Sequence, residues 1–272
     1  MKPYRFSIIL VYLMASQALA TTNELTADLK SIKRLRVTAT LQAISTLHKT
    51  EQDGRETSTR ITLAPSLALN DLYRVTAAAA LIQDGGQERK TLMSNTKLSL
   101  VRTPLSLTSD TALLVSAGGR LPTNSEDRED NTFQGALVLE PTVLTEWNVF
   151  GHGFTTIYGL YSQKNFHKYN RGNLEQANLS YQLDHYFGLE TYLVKHLVLT
   201  LDGDYIFGQT YQGTKSTKFA LGQSLTYEQP KWSATLGHTN GGDVLLYGGT
   251  DRNVKIFDKN TSAVFAQLLV RY

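Results

Sequence analysis

The chain has 272 residues, a net charge of +3, no cysteine, 20 glycines and six prolines. The missing cysteines exclude a disulfide framework and a thiolate metal site. The length allows one large domain or two small ones, and the small net charge gives no case for a nucleic-acid partner.

The chain opens on MKPYRFSIILVYLMASQALA. Lys2 and Arg5 give a positive start, residues 6–14 are mostly apolar, and Ala18-Leu19-Ala20 is a small-x-small cleavage site. Residues 1–20 therefore read as a secretory signal peptide cut after Ala20. A single membrane helix is the alternative, but the apolar run is too short to span about 30 Å of hydrocarbon. Losing Lys2 and Arg5 lowers the net charge from +3 to +1, so the basic balance is mostly a property of the leader. Residues 21–32, TTNELTADLKSI, read as an N-terminal segment ahead of the folded domain, either a short helix or a disordered tail.

From residue 33 onward the sequence alternates with period two. The pattern predicts strands over 33–47, 57–70, 72–83, 89–101, 105–117, 132–141, 148–163, 174–194, 197–211, 217–228, 232–239 and the final stretch TSAVFAQLLVRY. Short connections fall near residues 71, 103, 144, 195 and 230. Longer ones fall near 51, 86, 124, 168, 213 and 250. The alternation of short and long connections puts both ends of the domain on the short-turn side.

A soluble sandwich also alternates. Many of these strands, however, reach the roughly 9–11 residues that a tilted strand needs to cross hydrocarbon. Lipid cannot satisfy an open sheet edge, so a spanning sheet must close. The fold class expected is all-β: a transmembrane antiparallel up-and-down β-barrel of about 12 strands spanning 33–272. Tyr73, Trp147, Phe187, Tyr205, Tyr227, Trp232 and Tyr272 fall near predicted strand ends, where aromatic rings sit at the headgroup level of a membrane. Pro65 and Pro141 are expected near strand ends or bulges, because proline donates nothing to a ladder.

The leader, the alternation and the last strand AVFAQLLVRY, ending on Tyr272, resemble those of bacterial outer-membrane β-barrel proteins. The resemblance is one of class and covers the chain from residue 21 onward. It implies residence in the cell outer membrane, short periplasmic turns and longer extracellular loops, with 21–32 as a periplasmic segment. It also implies outer-membrane lipid, lipopolysaccharide and the barrel assembly machinery as partners. The last of these would read the terminal aromatic strand.

In this register Arg34, Arg36, Arg60, Arg74 and Lys97 line the interior early in the chain. Glu140, Asp184, Asp202, Asp204, Lys218, Glu228 and Arg271 line it later. Closure would bring Arg271 beside the first strand. A basic arc facing a more acidic one would set a transverse field across a wet pore. Salt bridges filling a closed interior are the alternative. Twelve strands is intermediate between filled barrels and wide channels.

The acidic loop SEDRED (125–130) reads as a solvated face rather than a metal site, and no cofactor, metal or nucleic-acid partner is expected. His152, His185 and His238 have Phe154, Phe187 and Asn240 two residues on, not the serine that some lipid-hydrolysing barrels carry there. No catalytic residue and no enzymatic activity are therefore expected. The function expected is an outer-membrane channel for passive diffusion of small hydrophilic solutes. The alternative is a structural or adhesive barrel with a closed lumen and partner-binding loops.

Overall fold

The computed structural model describes residues 35–47, 57–85, 90–149, 152–173, 175–244, 253–258 and 261–272. The expected leader, the segment 21–32 and Arg34 lie outside the described residues.

The elements are β1 (Leu35–Thr46), β2 (Thr57–Ala68), β3 (Tyr73–Asp84), β4 (Thr91–Met93), β5 (Thr96–Ser106), β6 (Thr111–Leu121) and the short helix α1 (Ser125–Glu129). They continue with β7 (Phe133–Val149), β8 (His152–His167), β9 (Leu179–Val194), β10 (Leu197–Thr210), β11 (Lys215–Gln229), β12 (Trp232–Asp243) and β13 (Ser262–Arg271). Successive strands pair antiparallel, except β4 and β5. β13 also pairs with β1, which closes the sheet. β4 and β5 both pair with β3 and are one wall strand interrupted at Ser94-Asn95. The result is a closed antiparallel barrel with 12 wall positions.

The seam is made by β1 and β13, from Thr38↔Arg271 to Thr46↔Ala263. Beyond it, Val37 and Tyr272 exchange both backbone hydrogen bonds, at 3.0 and 2.9 Å. Closure matters because a sheet with a free edge would leave a row of unpaired N–H and C=O groups in lipid.

Period-two alternation sorts the side chains. Leu63, Leu81, Leu100, Leu139, Leu201, Leu225, Leu236 and Leu268 stand exposed on the outer surface. Thr40, Gln42, Arg60, Thr62, Ser99, Gln163, Asp184 and Asp204 point the other way and are buried. This is the reverse of a soluble protein, and it is the arrangement that lipid demands. Strands of 16 and 17 residues on the β7–β9 side exceed what hydrocarbon requires, so the wall there reaches beyond the membrane.

Two expected reversals are corrected. The sequence predicts turns near 103 and 144. The structure carries β5 through Pro104 to Ser106 and β7 through Pro141 to Val149, with reversals at 107–110 and between Val149 and His152. The strand expected over 105–117 shifts to Thr111–Leu121, and the one expected over 132–141 lengthens to Phe133–Val149. The physical reason lies in how the wall accommodates proline. Pro65 and Pro141 keep partners on one side, Val37 and Val115. On the other side the recorded pairing skips from Leu63 to Ser66 and from Leu139 to Thr142. Pro104 sits in a register shift between Arg102 and Leu105. A proline at a gap or bulge costs the ladder little, so it does not end the strand.

The aromatic residues divide into two groups. Tyr73, Trp147, Tyr227, Trp232 and Tyr272 are exposed and gather at the short-turn rim, where the Tyr227 and Trp232 rings lie 5.7 Å apart. Phe187 and Tyr205 are exposed but lie well inside β9 and β10, not near their ends as the sequence predicts. Phe187 packs against Tyr158 of β8, centroids 5.0 Å apart. The long strands explain the difference: a ring far from the turn still meets one membrane surface when the strand continues above it.

The architecture is that of bacterial outer-membrane barrel proteins: an even number of antiparallel strands, closed, apolar outside, with short turns at one rim and long loops at the other. The fold is that of a transmembrane antiparallel barrel.

Candidate functional site

Two regions gather polar side chains: the lumen and the long-loop rim. In the lumen the bases come from adjoining strands. Arg36 of β1, Arg60 of β2, Arg74 of β3 and Lys97 of β5 are all on the inward register. Arg74 Nη1 donates to Ser66 Oγ at 3.1 Å. Arg120 of β6 joins this arc. The sequence reading misses it because it ends that strand at residue 117.

Glu140 of β7, expected among the later acids, belongs with the bases. Its Oε2 lies 2.5 Å from Lys97 Nζ and accepts from Ser116 Oγ at 2.6 Å. Beside it, Lys97 Nζ and the Arg120 guanidinium stand 5.9 and 5.7 Å from the Tyr161 ring centroid, at cation–π distance. Tyr161 hydroxyl donates to Gln163 Oε1, and Gln163 Nε2 donates to Asn165 Oδ1. A polar chain thus climbs the inside of β8. Tyr161 and Gln163 carry a legible signal, since they alternate with the outward Tyr158 and Leu160.

The acids face inward from the opposite wall. Gln182 Nε2 donates to both Asp184 oxygens at 3.0 and 2.9 Å. Thr200 Oγ1 donates to Glu190 at 3.2 Å. Asp202 and Asp204 share the inward register of β10. Tyr192 hydroxyl donates to Glu228 Oε2 at 3.3 Å. Lys218 of β11 adds a cation to this wall, and Arg271 Nη1 donates to the Gln229 carbonyl at 3.4 Å. Groups near the middle of the wall are almost inaccessible: Asp184 is 0 %, Thr40 2 %, Gln42 4 % and Asp204 4 % exposed.

The rim is the second region. Asn124 caps α1 by accepting from Asp127 N at 3.0 Å. Asp127 in turn accepts from Asn95 at 2.6 Å and Asn131 at 3.0 Å, which ties the β4–β5 break to the β6–β7 loop. The β8–β9 loop closes from the other side. Asn178 Nδ2 donates to the Asn131 carbonyl at 2.8 Å and the Tyr169 carbonyl at 2.9 Å, and Asn173 N donates to the Asp130 carbonyl at 2.6 Å. His167 Nδ1 also meets the Asn131 carbonyl at 2.7 Å. Tyr211, between β10 and β11, bonds the Asn165 carbonyl at 2.6 Å. Four connections are therefore knit into one surface. The sequence reading takes them as separate polar loops, because contacts between residues 30 to 47 positions apart leave no local pattern.

No family model matches the chain, and no curated protein matches it. Among solved structures the chain is similar to the translocator domain of the autotransporter NalP from Neisseria meningitidis. The identity is 14 %, covering 96 % of this chain and 95 % of that one, with a TM-score of 0.46. It is similar to the NanC porin at 9 % identity, covering 87 % and 98 %, with a TM-score of 0.49. It is similar to the KdgM porin at 8 % identity, covering 86 % and 98 %, with a TM-score of 0.44.

Proposed function

We propose that this protein is a membrane-embedded platform: a barrel whose lumen is closed and whose interlocked outer loops bind a partner. One observation carries the reading. Inward-facing groups at mid-wall are inaccessible, Asp184 wholly so, whereas a wall lining an aqueous channel is wetted. The knitted rim supports it, because loops already held together present a surface without a further ordering cost on binding.

A second reading is a gated channel for small hydrophilic solutes. The separation of Arg36, Arg60, Arg74, Lys97 and Arg120 from Asp184, Glu190, Asp202 and Asp204 favours it, since opposed charge would orient a polar solute in a narrow passage. On either reading residues 1–20 are a removed leader and 21–32 a periplasmic segment. Lipopolysaccharide and outer-membrane lipid surround the apolar belt, and the barrel assembly machinery inserts the chain. The proposal includes no catalytic step: His185 Nδ1 meets the Tyr158 hydroxyl at 2.9 Å, and His238 Nδ1 lies 3.4 Å from Gln223 Nε2.

Single-channel recording of residues 21–272, refolded into a planar bilayer, tests the choice. Silence from inserted protein is expected. Stable conductance steps would overturn the closed lumen, and dependence of those steps on added sugars or small anions would establish the channel.

A further inference from the structure

The outward face of β12 runs Trp232, Ala234, Leu236, His238, Asn240. The first three suit lipid; the last two do not. Gln223, opposite His238 on β11, adds a third polar group to the same outer patch. A strand rises about 3.4 Å per residue and tilts by about 40°, so His238 stands roughly 15 Å and Asn240 about 20 Å above Trp232. Trp232 marks one membrane surface, and an apolar band is about 25 Å tall. The patch therefore falls within the upper part of the hydrocarbon, where an unpaired polar group is costly.

The connection between β12 and β13 folds back over this patch. Asn253 N donates to the Val244 carbonyl at 2.8 Å, and Asn253 Nδ2 to the Asp243 carbonyl at 3.2 Å. Asn240 Nδ2 donates to the Lys255 carbonyl at 2.6 Å, and Asn240 Oδ1 accepts from Thr261 Oγ1 at 2.5 Å. The Phe257 ring stacks on His238, centroids 5.6 Å apart. Ser262 N donates to the Asp258 carbonyl at 2.7 Å. Asn240 is left 1 % exposed although its register points outward. The other surface of the same segment is apolar: Val254 is 50 %, Ile256 71 % and Phe257 60 % exposed. Lys255 Nζ is paired with Asp258 at 3.0 Å.

We propose that residues 253–258 are an interfacial strap, seated on the outer wall of β12 at the upper edge of the apolar belt, with Val254, Ile256 and Phe257 turned to the acyl chains of the leaflet at the long-loop rim and its backbone and Lys255 within reach of the headgroups. The strap satisfies Asn240 and shields His238, and it extends the apolar belt that Leu236 and Val264 begin beneath it. It differs in this from the rim loops over β5–β9, which bond to one another.

The chain has no cysteine, so a single introduced one takes a spin label at a chosen site. Ile256→Cys is compared with Leu236→Cys in the belt and Glu126→Cys on the rim helix, each in the chain refolded into phosphatidylcholine vesicles. Collision with oxygen and with a water-soluble nickel chelate is measured for each label. The label at 256 is expected to read nearer 236 than 126, with oxygen access above chelate access. A reading at 256 like that at 126 would overturn the proposal. Asn240→Ala, added to Ile256→Cys, is expected to move the 256 reading toward the aqueous value while 236 is unchanged. No movement would overturn the seat assigned to Asn240.

Discussion

Lys97 of β5 and Glu140 of β7 meet across the strand between them, with Nζ 2.5 Å from Oε2. The intervening β6 contributes Ser116 to the same oxygen at 2.6 Å. Both charged side chains are largely buried, 12 % and 18 % exposed. Removing one partner leaves the other charged and poorly solvated. Lys97→Met is therefore expected to cost about 3–5 kcal/mol of unfolding free energy, and the double variant Lys97→Met with Glu140→Leu clearly less. Urea unfolding in bilayers reads both. Losses that simply add would mean that the pair is not coupled.

Backbone proximity on β6 makes a sharper demand. A Cβ placed on Gly118 would lie 1.9 Å from the Leu98 carbonyl oxygen and 2.8 Å from Ser99 Cα. No rotamer relieves a clash with backbone. Gly118→Val is expected to destabilise the barrel by about 4 kcal/mol or more, enough to abolish the folded band in unheated electrophoresis. Gly153 has nothing within 4 Å of the same construction, and Gly153→Val should keep that band. A folded Gly118→Val barrel would refute the close approach of β5 and β6.

Depth in the membrane gives a third test. Leu63 lies in β2 on the outer surface, 54 % exposed, between Ala39 and Ala79 of the neighbouring strands. Leu69 is equally exposed but sits in the short turn beyond β2. In water the two leucines would tolerate arginine alike. In lipid, Leu63→Arg is expected to cost about 2–4 kcal/mol and Leu69→Arg about 0–1 kcal/mol. Equal unfolding free energies for the two variants would contradict the bilayer placement.

The barrel was legible because lipid constrains every strand in the same way: outward apolar, inward polar, long enough to cross. That rule reaches Leu63, Leu236 and Tyr272 without knowledge of any contact. It failed at Pro104 and Pro141, where a local stop signal competed with the ladder and lost, because a gap in the pairing removes the need for the missing donor. Arg120 is missed for another reason: Gly118-Gly119 reads as the opening of a polar loop, whereas β6 runs through it to Leu121. The interior was legible only as to side. Register places Lys97 and Glu140 in the lumen, but a pairing across two strand boundaries has no sequence spacing of its own. The strap over His238 was hidden for a further reason. Asn240 and His238 look like a strand entering a polar loop, and only the folded connection shows why polar groups can stand on a lipid-facing wall.

The rim surface depends most on Asn178. It is 3 % exposed, and its amide donates to carbonyls of two separate loops, at Asn131 and Tyr169. Its backbone adds bonds to Asn170 and Tyr211. Asn178→Ala leaves the backbone bonds but removes the amide bonds to the two carbonyls, each worth about 0.5–1.5 kcal/mol, and a longer one to Thr132 Oγ1 at 3.4 Å. The strands below are untouched, so the loss falls on local opening of the loops rather than on the barrel. A loss of about 1.4 kcal/mol corresponds to roughly tenfold more of the open form. Protease cleavage within 122–132 and 168–178, on protein in vesicles, is expected to quicken by that order while the folded barrel band persists. If the rim is the binding platform, its partner should be released by the same substitution. Unchanged cleavage would mean that the other rim bonds, from Asn173 and His167, hold the loops together on their own.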